Sequence, residues 1–140
     1  MNLKIADLMA KRVVSAQPHH SVEHVRNLLA NNRIHAVPVV GPDMELLGVI
    51  STADLMEDLK SGTPVGSIMT KDVRTIPAYN DVSAAARMMR RHKVHHAVVT
   101  HEKKVVGMLS SFDLLKLVEG HRFTMHAAPT ATKGKRKGGR

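Results

Sequence analysis

Three segments of this chain occur twice, in the same order and at nearly constant spacing. Ile5-Ala6-Asp7-Leu8-Met9 returns as Val65-Gly66-Ser67-Ile68-Met69, and Arg33-Ile34-His35-Ala36-Val37-Pro38-Val39-Val40 returns as Lys93-Val94-His95-His96-Ala97-Val98-Val99-Thr100. Gly48-Val49-Ile50-Ser51-Thr52-Ala53-Asp54-Leu55 returns as Gly107-Met108-Leu109-Ser110-Ser111-Phe112-Asp113-Leu114, with one residue fewer in the intervening loop. A repeat of about sixty residues buries too little apolar surface to be comfortable alone, so the halves are expected to pack on each other. Where two such units meet, ligand clefts tend to form.

Composition narrows what those clefts can do. Hydrophobic residues at 43% and charged residues at 24% are the balance of a globular protein. Tyr79, Phe112 and Phe123 are its aromatics, too few for recognition by stacked rings as in many single-strand binders. The absence of cysteine excludes disulfides, thiolate metal sites and cysteine nucleophiles. No signal-like or membrane-spanning apolar stretch is read, so the expected location is cytoplasmic, without a membrane partner. The net charge is +9, but Lys133, Lys135, Arg136, Lys137 and Arg140 crowd the end of the chain and leave a body of modest charge.

Each repeat follows one plan. A short helical turn, at Ile5 or Val65, precedes an extended piece, Val13-Val14-Ser15 or Val73-Arg74-Thr75-Ile76. A helix follows, capped by Ser21 or Asp81, with apolar residues at helical spacing: Val22, Val25, Leu28 and Leu29, then Val82, Ala85, Met88 and Met89. Two Val-rich runs around Gly41-Pro42-Asp43, and again around His101-Glu102-Lys103, read as buried hairpins. A last helix is expected from Ser51, carrying Leu55, Met56 and Leu59, and from Ser110, carrying Leu114, Leu115 and Val118. The fold class is therefore α/β (α+β), two β-α-β-β-α repeats packed with pseudo-twofold symmetry. The boundaries are residues 1–61 and 62–122, followed by a basic tail, 123–140, expected to be disordered.

On these motifs each copy resembles a cystathionine-β-synthase (CBS) domain, and the pair resembles a Bateman module. The resemblance covers roughly residues 3–120 and rests on the aliphatic-Met turn, the strand Ile34 to Val40, and the closing Gly-h-h-Ser-x-x-Asp pattern, where h is hydrophobic. It implies a flat pair of repeats with two clefts between them, a homodimer, and an adenosine compound in a cleft: AMP, ADP, ATP or S-adenosylmethionine. It further implies a regulatory, non-catalytic module that signals to a partner protein. No nucleophile–base–orienter set and no phosphate-binding glycine loop is found, in keeping with that expectation.

Ser51-x-x-Asp54 and Ser110-x-x-Asp113 open the last helix of each repeat. By themselves they read as capping boxes. A helix start also offers free N–H groups to a phosphate, and the resemblance implies that Asp54 and Asp113 hold ribose hydroxyls while Ser51 and Ser110 lie near phosphate. His35 and His95 precede equivalent strands. Relatives often carry His-Arg there, facing phosphates, whereas this chain has Ala36 and His96 in the second position. That departure removes a fixed positive charge, which a di- or triphosphate would miss more than a monophosphate or a thioether-linked adenosine. Arg33, Lys93, Arg90, Arg91 and Lys71 could compensate for it, although each is read first as a surface charge. Val14, Ser15, Arg74, Thr75 and Ile76 lie where relatives wall the adenine, although alone they are ordinary strand residues. The two copies differ enough that one strong and one weak or vacant site is expected.

Ten histidines invite a metal reading, with His20 and His24 at i, i+4 and His92, His95 and His96 close together. No acidic motif supports it, and no metal site is expected. The methionines are read as core filler. Two alternatives stand beside the sensor reading: a ligand-free dimerising scaffold, and nucleic-acid binding through the basic tail.

Overall fold

The computed structural model describes residues 3–10 and 12–120; the basic tail, its expected disorder and its nucleic-acid role lie outside the described residues. The chain has mixed helix and strand content, as expected. Its elements are α1 (Ile5–Leu8), α2 (Val22–Asn32), β1 (Ala36–Val40), β2 (Leu46–Ser51), β3 (Thr75–Pro77), α3 (Val82–His92), β4 (His96–His101), β5 (Lys104–Ser110) and α4 (Ser111–Glu119). Single 3₁₀ turns lie at Asp54–Met56 and Val65–Ser67.

The repeat is visible in the register. β1 pairs antiparallel with β2, setting Val39 opposite Gly48, with a bulge between Val39 and Val40. β4 pairs antiparallel with β5, setting Val99 opposite Gly107, with its bulge between Val99 and Thr100. The extended piece ahead of the helix differs between copies. β3 lies parallel to β4 in a three-stranded sheet. Its counterpart is no strand but a single parallel bridge at Ala16, whose N–H reaches the Pro38 carbonyl at 3.0 Å.

The helices follow their sequence signals. Ser21 caps α2 by accepting the His24 N–H at 3.0 Å, while Asp81 occupies the same place before α3 without a side-chain cap bond. Both helices end on a left-handed residue, Arg33 with φ 55 and Lys93 with φ 54. The expected helix after Ser51 is corrected to one 3₁₀ turn. Glu57 and Asp58 would place negative charge at its C-terminal end, where the helix dipole opposes it. Glu57 is already extended, and the Arg26 guanidinium takes the Leu55 carbonyl at 2.8 Å.

The two halves exchange their leading turns. Ile5 and Leu8 are buried with Ile76, Val82, Ala85, Met89, Val99 and Leu109, the core of the second repeat. Val65 is buried with Val22, Val25, Val37, Val39 and Ile50, the core of the first. Backbone bonds fix the exchange: Ala6 N–H to the Ala78 carbonyl at 2.8 Å and Val82 N–H to that of Leu3 at 2.9 Å. In the first repeat Val65 N–H reaches the His20 carbonyl and Val22 N–H that of Thr63, both at 2.8 Å. Two glycines admit the crossing chains. A Cβ on Gly48 would lie 2.7 Å from the Met69 sulfur, and one on Gly107 2.7 Å from that of Met9. A third cluster, Val40, Val98 and Val105 with Val13, Met44, Leu46, Val49, Val73 and Met108 against it, joins the repeats.

Candidate functional site

Where the hairpins of the two repeats start and end, a cleft of about 780 Å³ opens between them, within the range of small-molecule sites. Its apolar wall includes Val13, Val14, Ile34, Pro38 and Met108; its polar end includes Ser51, Thr52, Ser110 and Ser111. His35, His95 and His96 line it together with Arg12 and Arg33, and Asp113 is its carboxylate. The cleft thus combines apolar side chains with hydroxyls, imidazoles and two arginines.

The second repeat supplies the better-built half. Ser110 Oγ accepts the Asp113 N–H at 3.1 Å, and Asp113 Oδ2 accepts the Ser110 N–H at 2.9 Å, a reciprocal cap on α4. Asp113 Oδ1 faces only the Lys116 ammonium, at 3.5 Å. That oxygen retains lone-pair capacity for another donor. In the first repeat, Asp54 Oδ2 takes both the Ser51 N–H at 2.8 Å and the Ser51 hydroxyl at 3.0 Å. Asp54 does not line the cleft, and the turn it opens is too short to present a helix N-terminus.

The histidines arrive by the same route in both repeats. The His35 carbonyl accepts the Thr52 N–H at 2.9 Å, and the His95 carbonyl accepts the Ser111 N–H at 2.8 Å. These bonds tie each histidine to the first residue past its hairpin. His95 Nδ1 lies 3.3 Å from the Ser111 hydroxyl. Burial holds the His96 pKa below the ordinary 6.5; His35 and His95 push the same way and Asp113 pulls it back.

Of the other residues singled out by sequence, Val14 lines the cleft, whereas Ser15, Arg74, Thr75 and Ile76 do not. Ile76 is buried in the core of the second repeat, and Arg74 and Thr75 are exposed on or beside β3. Sequence reasoning missed Arg12, Thr52, Met108 and Phe112, all on the cleft. Phe112 is 75% exposed there, and a large aromatic two residues past the expected cap Ser110 was the available signal. Arg33, read as a surface charge, is exposed but also lines the cleft, because its left-handed backbone ends α2 beside it. A smaller hollow of about 450 Å³ adjoins it, with Arg26, Leu29, Ala30 and Leu55 beside the truncated turn of the first repeat. Among the described residues no group of three or more His, Asp or Glu side chains is placed to hold a metal.

A repeated α+β module with a ligand-sized cleft at the junction of its halves defines the class. The sequence pattern of the CBS domain matches residues 5–61 and 65–120, and the chain belongs to the CBS domain family. An uncharacterized protein of Methanocaldococcus jannaschii is 31% identical over 121 residues, covering 85% of this chain and 40% of that protein. The chain spans less than half the length of the curated relatives it matches, among them homoserine O-acetyltransferases and an inosine-5'-monophosphate dehydrogenase. The fold is shared with a CBS domain pair crystallised with 5'-methylthioadenosine and S-adenosyl-L-methionine: TM-score 0.77, 24% identity, 84% of this chain and 97% of that one. It is likewise shared with a CBS domain protein of Pyrobaculum aerophilum complexed with AMP: TM-score 0.74, 26% identity, 84% of this chain and 100% of that one.

Proposed function

We propose that this chain is a non-catalytic regulatory module that binds an adenosine monophosphate-class ligand in the cleft between its repeats. The observation that carries this reading is the mixed lining of one cleft: apolar side chains on the one hand, and hydroxyls, imidazoles and two arginines on the other. An aromatic base suits the first and a phosphate the second. The nine-residue α4 offers a capped N-terminus beside Ser110 and Ser111, and Asp113, the carboxylate on the cleft, would accept from a sugar hydroxyl. The structural likeness to an AMP-bound CBS protein supports the same ligand class. The two carboxylates are unequal, so the second repeat provides the principal site and Asp54 contributes through the backbone of its own turn.

Binding would favour one arrangement of the halves over another, and a partner protein would read the difference; no bond is made or broken. A homodimer fits the exposed face of α4, where Phe112, Leu115 and Val118 point to solvent. A cytoplasmic setting, where adenine nucleotides abound, completes the proposal. No helix of the described residues is long and apolar enough to cross a membrane.

Calorimetry with AMP, ADP, ATP, S-adenosylmethionine and NAD tests the reading. AMP is expected to bind, with Asp113→Asn weakening it about tenfold, the loss of one charge-assisted hydrogen bond. Asp54→Asn is expected to change it far less. No heat from any of the five would reject the proposal and favour a ligand-free scaffold.

A further inference from the structure

The three histidines on the cleft come from two repeats but face one space. His35 stands before β1, His95 before β4, and His96 opens β4; all three line the same cavity. The charged groups facing them from the surrounding elements, among the described residues, are Arg12 from the leading segment, Arg33 from the end of α2 and Asp113 from α4. Asp113 is engaged by the Ser110 N–H and by Lys116. Among the described residues none of the three imidazoles has a carboxylate within ion-pair distance, and the one histidine ion pair, His101 with Glu102, lies at the β4–β5 turn. A proton on any of the three therefore meets other cationic groups and little counter-charge.

A phosphate entering the space the three share would reverse that balance. It brings up to two negative charges and acceptor oxygens into a pocket already holding two arginines. Each imidazole that gains a proton then gains a charge-assisted hydrogen bond.

We propose that His35, His95 and His96 form one anion-binding locus shared by both repeats, which takes up a proton from solvent as a single nucleotide phosphate enters. The module then reports adenylate and proton concentration together, binding the phosphate more tightly as pH falls through the histidine range. By linkage the reverse holds equally: bound nucleotide makes the locus more basic. The inference rests on the proposed nucleotide reading and adds to it one phosphate per chain and a coupled proton.

The test uses the full chain, with AMP and adenosine as probes. The phosphate of AMP itself titrates, at a pKa of about 6 for a phosphate monoester, so affinity alone is ambiguous. The readout is therefore the imidazole proton resonances across pH 5 to 8.5, assigned with His35→Gln, His95→Gln and His96→Gln variants. AMP at saturation is expected to raise the titration midpoint of at least one of the three by about one pH unit, equivalent to about tenfold in coupling. The exposed His101 should not move, adenosine should leave all midpoints in place, and calorimetry should give one AMP per chain. Calorimetry in buffers of different ionisation heat should show net proton uptake in wild type, reduced in His35→Gln, an exposed position where folding is not at stake. AMP binding with unmoved midpoints, or two equal AMP sites, overturns the shared locus and leaves the nucleotide reading intact. No AMP binding at any pH overturns both.

Discussion

Arg33 and Lys93 end equivalent helices in the left-handed region, a conformation that costs a residue with a Cβ about 1–2 kcal/mol. Lys93 is exposed and away from the cleft, so Lys93→Gly is expected to raise stability by about 0.5–1 kcal/mol in urea unfolding. At Arg33 the same change would also remove a cleft cation, and its gain in stability should be accompanied by weaker AMP binding. His96 makes a second prediction at this scale. Its folded-state pKa lies below 6.5 and its unfolded-state value near it, so the unfolded chain binds more protons just beneath that pH. Stability should fall as pH drops through 6.5 and level off below the folded-state value. His20 shifts the same way, through burial and then its neighbours His24 and His19, and adds to the slope. Urea midpoints between pH 7.5 and 5.5 check the sign, and His96→Gln should flatten the curve. The Ser-x-x-Asp pairs were legible as caps from sequence; the bonds within both pairs form, but only Ser110 and Asp113 cap a helix. What spacing did not reveal is that Asp113 lines the cleft and Asp54 does not.

Between elements, the sharpest contrast is α4 against the lone turn at Asp54–Met56. Ser110→Ala removes the hydroxyl that accepts the Asp113 N–H and should cost about 1 kcal/mol. Ser51→Ala, at a turn with no helix behind it, should cost less; chemical unfolding of the two variants side by side decides. Helices α2 and α3 and both hairpins were readable because apolar spacing, turn residues and capping signals agree along those stretches. The helix after Ser51 was not, since Leu55, Met56 and Leu59 match helical spacing while Glu57 and Asp58 work against the helix end. Met56 is 84% exposed as a result. The first extended piece failed for a related reason: Val13-Val14-Ser15 has strand-forming residues, but the chain there crosses from one half to the other and pairs only at Ala16.

Across the whole molecule, apolar periodicity reports that a turn is buried and is silent about which core receives it. For that reason the exchange of leading turns could not be read from the repeats. Its energetic signature is testable. Ile5 is fully buried, so Ile5→Ala should cost about 2–5 kcal/mol. The loss should appear first in the distant half, as faster amide exchange in β4 and β5 than in β1 and β2. Faster exchange confined to β1 and β2 would contradict the packing described. The crossing also sets how force travels through the polypeptide. A domain fused ahead of Leu3 would be tethered, through the Leu3 carbonyl and the Ala6 amide, to the farther of the two units and not to the one that follows it in sequence. Tension or rotation applied at that junction would load the second repeat first, the one that brings His95, His96 and Asp113 to the cavity.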